Sequence, residues 1–110
     1  MPITYKVLAQ SEPAANTNTN VYTVPNATQV VFSTIVFANR ANTVATYRLA
    51  VRPDGNTLAN LHYLAYDVPI AASDSTTLTL GITAAANTVV TAFCSTANFS
   101  INVFGAEITP

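Results

Sequence analysis

The chain has 110 residues, of which 8% are charged, and its formal net charge is -1, whereas an average soluble protein is about 25% charged. That length fits one domain, able to bury roughly two-thirds of the unfolded chain's surface. The composition excludes a basic field for nucleic acid, a bilayer-spanning apolar run of about twenty residues and, with Cys94 as the single cysteine, an internal disulfide framework.

The opening MPITYKVLAQ has no basic start followed by an apolar run, so no secretory signal is expected. Ile3 to Ala9 predicts a first strand, with Tyr5 and Val7 on one face. Ser11 to Asn20 (SEPAANTNTN) lacks apolar periodicity and predicts a polar loop or arm, suited to ordering against a neighbouring subunit. Val21 to Val24 predicts a short strand stopped by Pro25-Asn26.

Gln29 to Asn39 (QVVFSTIVFAN) organises the rest. It is uncharged, rich in β-branched and aromatic residues, and bounded by turn residues, which favours strand over helix. Both of its faces are largely apolar, so it is expected to be a central strand covered on both sides. Asn39 to Asn42 predicts a turn with Asn at positive φ. Ala45 to Arg52 alternates, with Tyr47, Leu49 and Val51 inward and Thr46, Arg48, Ala50 and Arg52 outward. These two strands are expected to form a hairpin.

Pro53-Asp54-Gly55-Asn56 predicts a turn, with Gly55 in the left-handed position. Leu61 to Val68 predicts the next strand, with Leu61, Tyr63 and Ala65 on one face and His62, Leu64 and Tyr66 on the other; Pro69 ends it or marks an edge. Thr76 to Thr83 alternates with Leu78, Leu80 and Ile82 inward, and the following Ala84 to Asn87 is too short for a helix. Thr88 to Ser95 and Asn98 to Phe104 predict a last hairpin, with Phe99, Ile101 and Val103 on one face, and Gly105 permits a bulge or a close backbone approach. About eight strands at close spacing, with no long helix, predict an all-β fold over residues 1–110: a single-domain antiparallel β-sandwich, jelly-roll or Ig-like.

Little of the chemistry an enzyme needs is present. The one histidine, His62, has no second histidine or strained serine to serve, and a general base needs a nucleophile and an orienting group. Of the five acids, Asp54 and Asp74 belong to turns, and Asp67 and Glu107 remain possible partners as facing carboxylates. There is no zinc-type Cys/His spacing and no calcium loop, and three glycines in total cannot build a phosphate cradle. No enzyme activity and no cofactor are expected. Cys94 shares the parity of Val90 and Ala92, with no charged residue within ten positions, and reads as a small buried hydrophobe.

The candidates for contact are Arg48, Arg52, His62, Tyr66 and Asp67. Arg48 and Arg52 share a strand face about 13 Å apart. They are either solvated or anchors that grip an acid such as Asp67 or Asp74 of a neighbouring subunit bidentately. His62 reads as structural or interfacial, and Tyr66 beside Asp67 is the place where a flat aromatic could meet a sugar. A skin of Thr, Asn, Ser and Ala repels its own kind weakly. A homo-oligomer is therefore expected, with a trimer favoured because symmetric oligomers suit threefold positions.

Several stretches also carry a likeness: Ile3-Thr4-Tyr5-Lys6-Val7-Leu8, Tyr22-Thr23-Val24-Pro25, Tyr47-Arg48-Leu49-Ala50-Val51-Arg52-Pro53, His62-Tyr63-Leu64-Ala65-Tyr66-Asp67, Leu78-Thr79-Leu80-Gly81-Ile82 and Phe104-Gly105-Ala106-Glu107-Ile108. Together they resemble a family of small virion proteins of tailed bacteriophages, notably those infecting cyanobacteria. The resemblance implies a β-sandwich subunit of the virion, made in the host cytoplasm. It would be a capsid decoration or cement protein whose partners are its own copies and the major capsid protein or another virion protein, without nucleic acid or membrane. The alternative it leaves open is a tail, neck or baseplate component with a receptor- or glycan-binding role. It brings no set of binding residues with it.

Overall fold

Eight strands form among the described residues: β1 (Ile3–Ser11), β2 (Thr19–Thr23), β3 (Gln29–Asn39), β4 (Ala45–Arg52), β5 (Tyr63–Ile70), β6 (Ser75–Ala84), β7 (Val89–Cys94) and β8 (Phe99–Ile108). The computed structural model describes residues 2–110; the side chain of Leu80, expected to point inward, lies outside the described residues. The strands make two four-stranded antiparallel sheets, the first in the order β1-β8-β3-β6 and the second in the order β2-β7-β4-β5.

The pairings β1 with β8, β2 with β7, β3 with β6 and β4 with β5 are those of one long hairpin that doubles back between β4 and β5. Rolling it up adds the contacts of β8 with β3 and of β7 with β4. Of the two sandwich types expected, this is the jelly roll.

The rolling overturns both expected hairpins. β3 and β4 lie in different sheets, and so do β7 and β8. Alternation tells which side of a strand is buried, and that side is the same whether two strands lie side by side or face each other across a core. Only β4 and β5 are consecutive and paired. The connection between them opens with the expected turn. Asp54 and Gly55 sit at φ 56° and 67°, and the Asn56 N–H donates to the Pro53 carbonyl at 3.1 Å. Positive φ at both central residues is the type I′ pattern favoured by Asp-Gly. A second short turn, Asn60–His62, takes Leu61 and His62 out of the strand expected there, so β5 begins at Tyr63. Pro69 lies on an edge strand opposite Thr46, where a missing N–H is tolerated.

Between the sheets sits a core of Val30, Phe32, Ile35, Phe37, Tyr47, Leu49, Val90, Phe99, Ile101 and Val103, all buried. β3 lies between β8 and β6 in its sheet, but only its inner face is buried; Val31, Thr34, Val36 and Ala38 on the outer face are half-buried. Its alternation changes parity at Ser33, where the register slips against both neighbours. Cys94 is fully buried, and burial pushes its thiol up to about 12, which leaves it unreactive.

Residues 11–20, expected as a polar loop or arm, contain the connection between β1 and β2 and are tied to their own fold. Ser11 belongs to β1 and Thr19-Asn20 to β2. Between them Pro13 is buried, the Asn16 N–H donates to the Cys94 carbonyl at 2.8 Å, and Glu12 pairs with Arg40. Positive φ falls not in Asn39 to Asn42 but at Asn16, Ala27, Ser73 and Asn87 in other connections, and at Asp67 within β5.

Gly105 is the register partner of Phe32, at a point where β8 runs close against β3. A Cβ there would clash with the Val31 carbonyl oxygen and meet Leu8 Cδ1 at 3.1 Å. A backbone atom cannot step aside as a side chain can, so Gly105→Ala is expected to cost about 3 kcal/mol, the upper end for overpacking. Urea unfolding of the variant measures this, and an unchanged midpoint would show that the strands are not this close.

Candidate functional site

The outer face of the second sheet gathers three of the five contact candidates. Phe93 of β7 pairs with Arg48 of β4. On the other side of β4, Tyr47 pairs with Val68 and Leu49 with Ala65, so Tyr66 and Asp67 together oppose Arg48. That is a β-bulge, which re-aims side chains, and Asp67 takes the left-handed φ of 51° that Asp tolerates.

The bulge brings the Asp67 carboxylate onto the guanidinium. Arg48 Nε donates to Oδ1 at 2.6 Å and Nη2 to Oδ2 at 3.2 Å, a bidentate grip. The Arg48 Cζ atom lies 4.2 Å from the Tyr66 ring centroid and 4.4 Å from that of Phe93. Tyr63 meets Tyr66 edge to face at 4.9 Å. The hydrogen bond to Asp67 pushes the Arg48 guanidinium up, so it stays charged. The result is a cation held in place by aromatic rings, on a face where Tyr66 is 55% exposed. Tyr and Arg so arranged have the composition of an interface anchor.

Arg48 therefore meets one of its expected acids, Asp67, within its own chain. Tyr63 and Tyr66, expected on opposite faces, share one because the register slips on both sides of Leu49. The other two candidates stand outside this cluster and are occupied, Arg52 on the same face of β4 as Arg48, as expected, and His62 in the turn before β5. Arg52 donates to Thr91 Oγ1 at 3.0 Å, Asn20 Oδ1 at 2.8 Å and the Asn56 carbonyl at 2.9 Å, clipping β2, β7 and the Asp-Gly turn together. His62 is 8% exposed, and its Nδ1 accepts the Ala59 N–H at 3.0 Å, which makes it the fastener of its turn.

A second polar cluster joins β1, β2 and β8. The Tyr22 hydroxyl donates to Glu107 Oε2 at 2.6 Å, and Lys6 Nζ lies 2.7 Å from Oε1. The Glu107 side chain is 17% exposed. Its hydrogen bonds from Lys6 and then Tyr22 hold the carboxyl below the usual range, while burial and Glu107 push the Tyr22 phenol up. A carboxyl depressed in the folded state stabilises the fold above its unfolded pKa, about 4.3 for Glu, and this is lost as pH falls through the folded value. The urea midpoint is therefore expected to drop on acidification, and to drop less in Glu107→Gln. Equal pH slopes in the two proteins would remove the role assigned to this carboxyl.

Apolar side chains also remain uncovered on the outer face of the first sheet. Tyr5 is 81% exposed, and Ile3 and Val7 beside it are also exposed. With Val31, Phe104 and Ile108, Ile3 and Tyr5 line an open groove of about 460 Å³. On the other sheet's side, Leu61 is 83% exposed.

Compared with known proteins, the chain matches no family model and no curated protein.

Proposed function

We propose that this chain is a structural subunit of a tailed-phage virion, a decoration or cement protein that packs against its own copies and the major capsid protein, without enzymatic activity. The observation that carries this reading is the surface. A skin from a chain only 8% charged, with Tyr5 and Leu61 largely in water, suits a protein walled in by other protein. Jelly rolls recur in viral shells and also in lectins and cupins, so the fold adds support without deciding the role. Binding only to the assembled shell would stabilise that shell by mass action.

Electron cryo-microscopy of purified particles carrying the chain tests the reading. Density bridging capsid subunits on the head is expected, and density confined to the tail would remove the head assignment.

The second reading, a tail, neck or baseplate component that recognises a glycan, draws on the exposed Tyr66 beside Asp67. Reproducible binding on a glycan array, abolished in Tyr66→Ala, would favour it over a passive cement.

A further inference from the structure

Four strands lie at sheet edges: β1 and β6 in the first sheet, β2 and β5 in the second. An open edge presents unpaired backbone donors and acceptors that a further strand can satisfy, and proteins blunt such edges with charge, proline, bulges or brevity. Three of these edges are blunted. β1 carries Lys6 and a register slip between Val7 and Ala9. β2 has five residues, with a slip between Asn20 and Tyr22. β5 has Pro69 and the bulge at Tyr66-Asp67.

β6 is different. From Ser75 to Thr79 it pairs with β3 in unbroken register, and STTLTLGITA contains neither charge nor proline. The bulge beyond, with Gly81 at φ 65°, leaves this first half regular. We propose that β6 pairs antiparallel with β6 of a second copy of this chain, across a two-fold axis at Thr77, joining the two first sheets into one.

The occupant follows from self-complementarity. A two-fold contact sets each residue against itself or its mirror position, so a charged edge would repel its own copy and this one does not. Centred on Thr77, the pairing sets Thr77 against Thr77 and Ser75 against Thr79. All three are exposed, while Thr76 and Leu78 on the other face are half-buried. The outer row would then consist wholly of hydroxyl side chains, and Thr–Thr and Thr–Ser cross-strand pairs are favourable. The nearest charge is Asp74, and its two copies would stand about 20 Å apart along the strands, well beyond a screening length of about 8 Å. The proposal does not rest on the particle assignment.

The test is sedimentation velocity of the full chain at tens of micromolar, with two variants. The wild-type chain is expected to be a dimer. Thr77→Lys sets two ammonium groups face to face and is expected to weaken the dimer about 100-fold, with its circular dichroism melt confirming that it folds. Thr77→Cys is expected to form a disulfide-linked dimer under mild oxidation faster than Thr4→Cys on β1, with the buried Cys94 silent in both. A wild-type monomer, a trimer, a dimer indifferent to Thr77→Lys, or cross-linking no faster than in Thr4→Cys would each overturn the proposal.

Discussion

Replacing Phe37 with alanine is expected to lower the unfolding free energy by about 4 kcal/mol. Phe37 belongs to β3 in the first sheet, but its ring stacks on Tyr47 of β4 in the second, with centroids 4.1 Å apart and planes at 22°. The edge of Phe99 from β8 closes the cluster at 6.5 Å. All three rings are buried. Truncation removes the transfer free energy of the ring, the aromatic contacts, worth about 1 kcal/mol per pair, and the atoms that fill the gap between the sheets. Two sheets clamped by strands on both sides cannot close over such a void cheaply. Domains of this size are stable by about 5–15 kcal/mol, so the variant would sit near its folding threshold. Urea unfolding measures the loss. A drop below about 1.5 kcal/mol, within the range of conservative core swaps, would mean that this stack does not hold the two sheets together.

The second large effect is expected from an isosteric change, Asn39→Asp. Asn39 is 2% exposed at the end of β3. Its Nδ2 donates to the carbonyls of Thr43 at 3.0 Å, Ile70 at 3.1 Å and Ala71 at 3.3 Å, and its Oδ1 accepts the Ala41 N–H at 3.0 Å. One side chain thus fastens the end of a first-sheet strand to the loops that enter and leave the second sheet. Aspartate has the same shape but turns the donor into an acceptor facing carbonyl oxygens. Loss of the bonds and burial of an unpaired charge are expected to cost about 3–5 kcal/mol at neutral pH. The introduced carboxyl would have a raised pKa in the folded state, since only its protonated form can donate. The deficit relative to wild type should therefore shrink as pH falls and grow as it rises. Parallel urea titrations of the two proteins across the acid range check this. A deficit that stays constant with pH would show that the amide's donor role is not what stabilises this corner.

How much of this could be read from the residues depends on the range of the interaction involved. The strands were legible because alternation and turn residues are local: QVVFSTIVFAN runs from Gln29 to Asn39 as expected, and the Asp54-Gly55 turn is where its chemistry puts it. The sandwich followed from the strand count. What stayed hidden was which strand lies beside which. Nothing in Ala45 to Arg52 says that its neighbours are β7 and β5 and not β3. Arg48 could be marked as outward and Asp67 as a partner in kind, yet the bulge that brings them together arises from a register slip against β4. Phe93, the second ring on Arg48, had no local signal at all, since the two residues are cross-strand neighbours from distant stretches. Glu107 was singled out as an acid, but its bonds to Tyr22 and Lys6 exist only because β1, β2 and β8 meet at one edge of the roll. Asn39 reads as turn punctuation; only the loops folding over it make it a buried fastener.

The doubled-back pairing of the strands also bears on how the chain reaches this state. β8 lies between β1 and β3, and Ile108 is the register partner of Ile3. The first sheet therefore cannot knit together until β8 has left the ribosome, and β1 waits through the synthesis of every strand between them for its neighbour in the sheet. Local β4–β5 closure is the one early step open to it. Such high contact order places folding in the range of about milliseconds to seconds, and until it finishes the uncharged Thr-rich strands remain open to wrong pairing with other nascent chains.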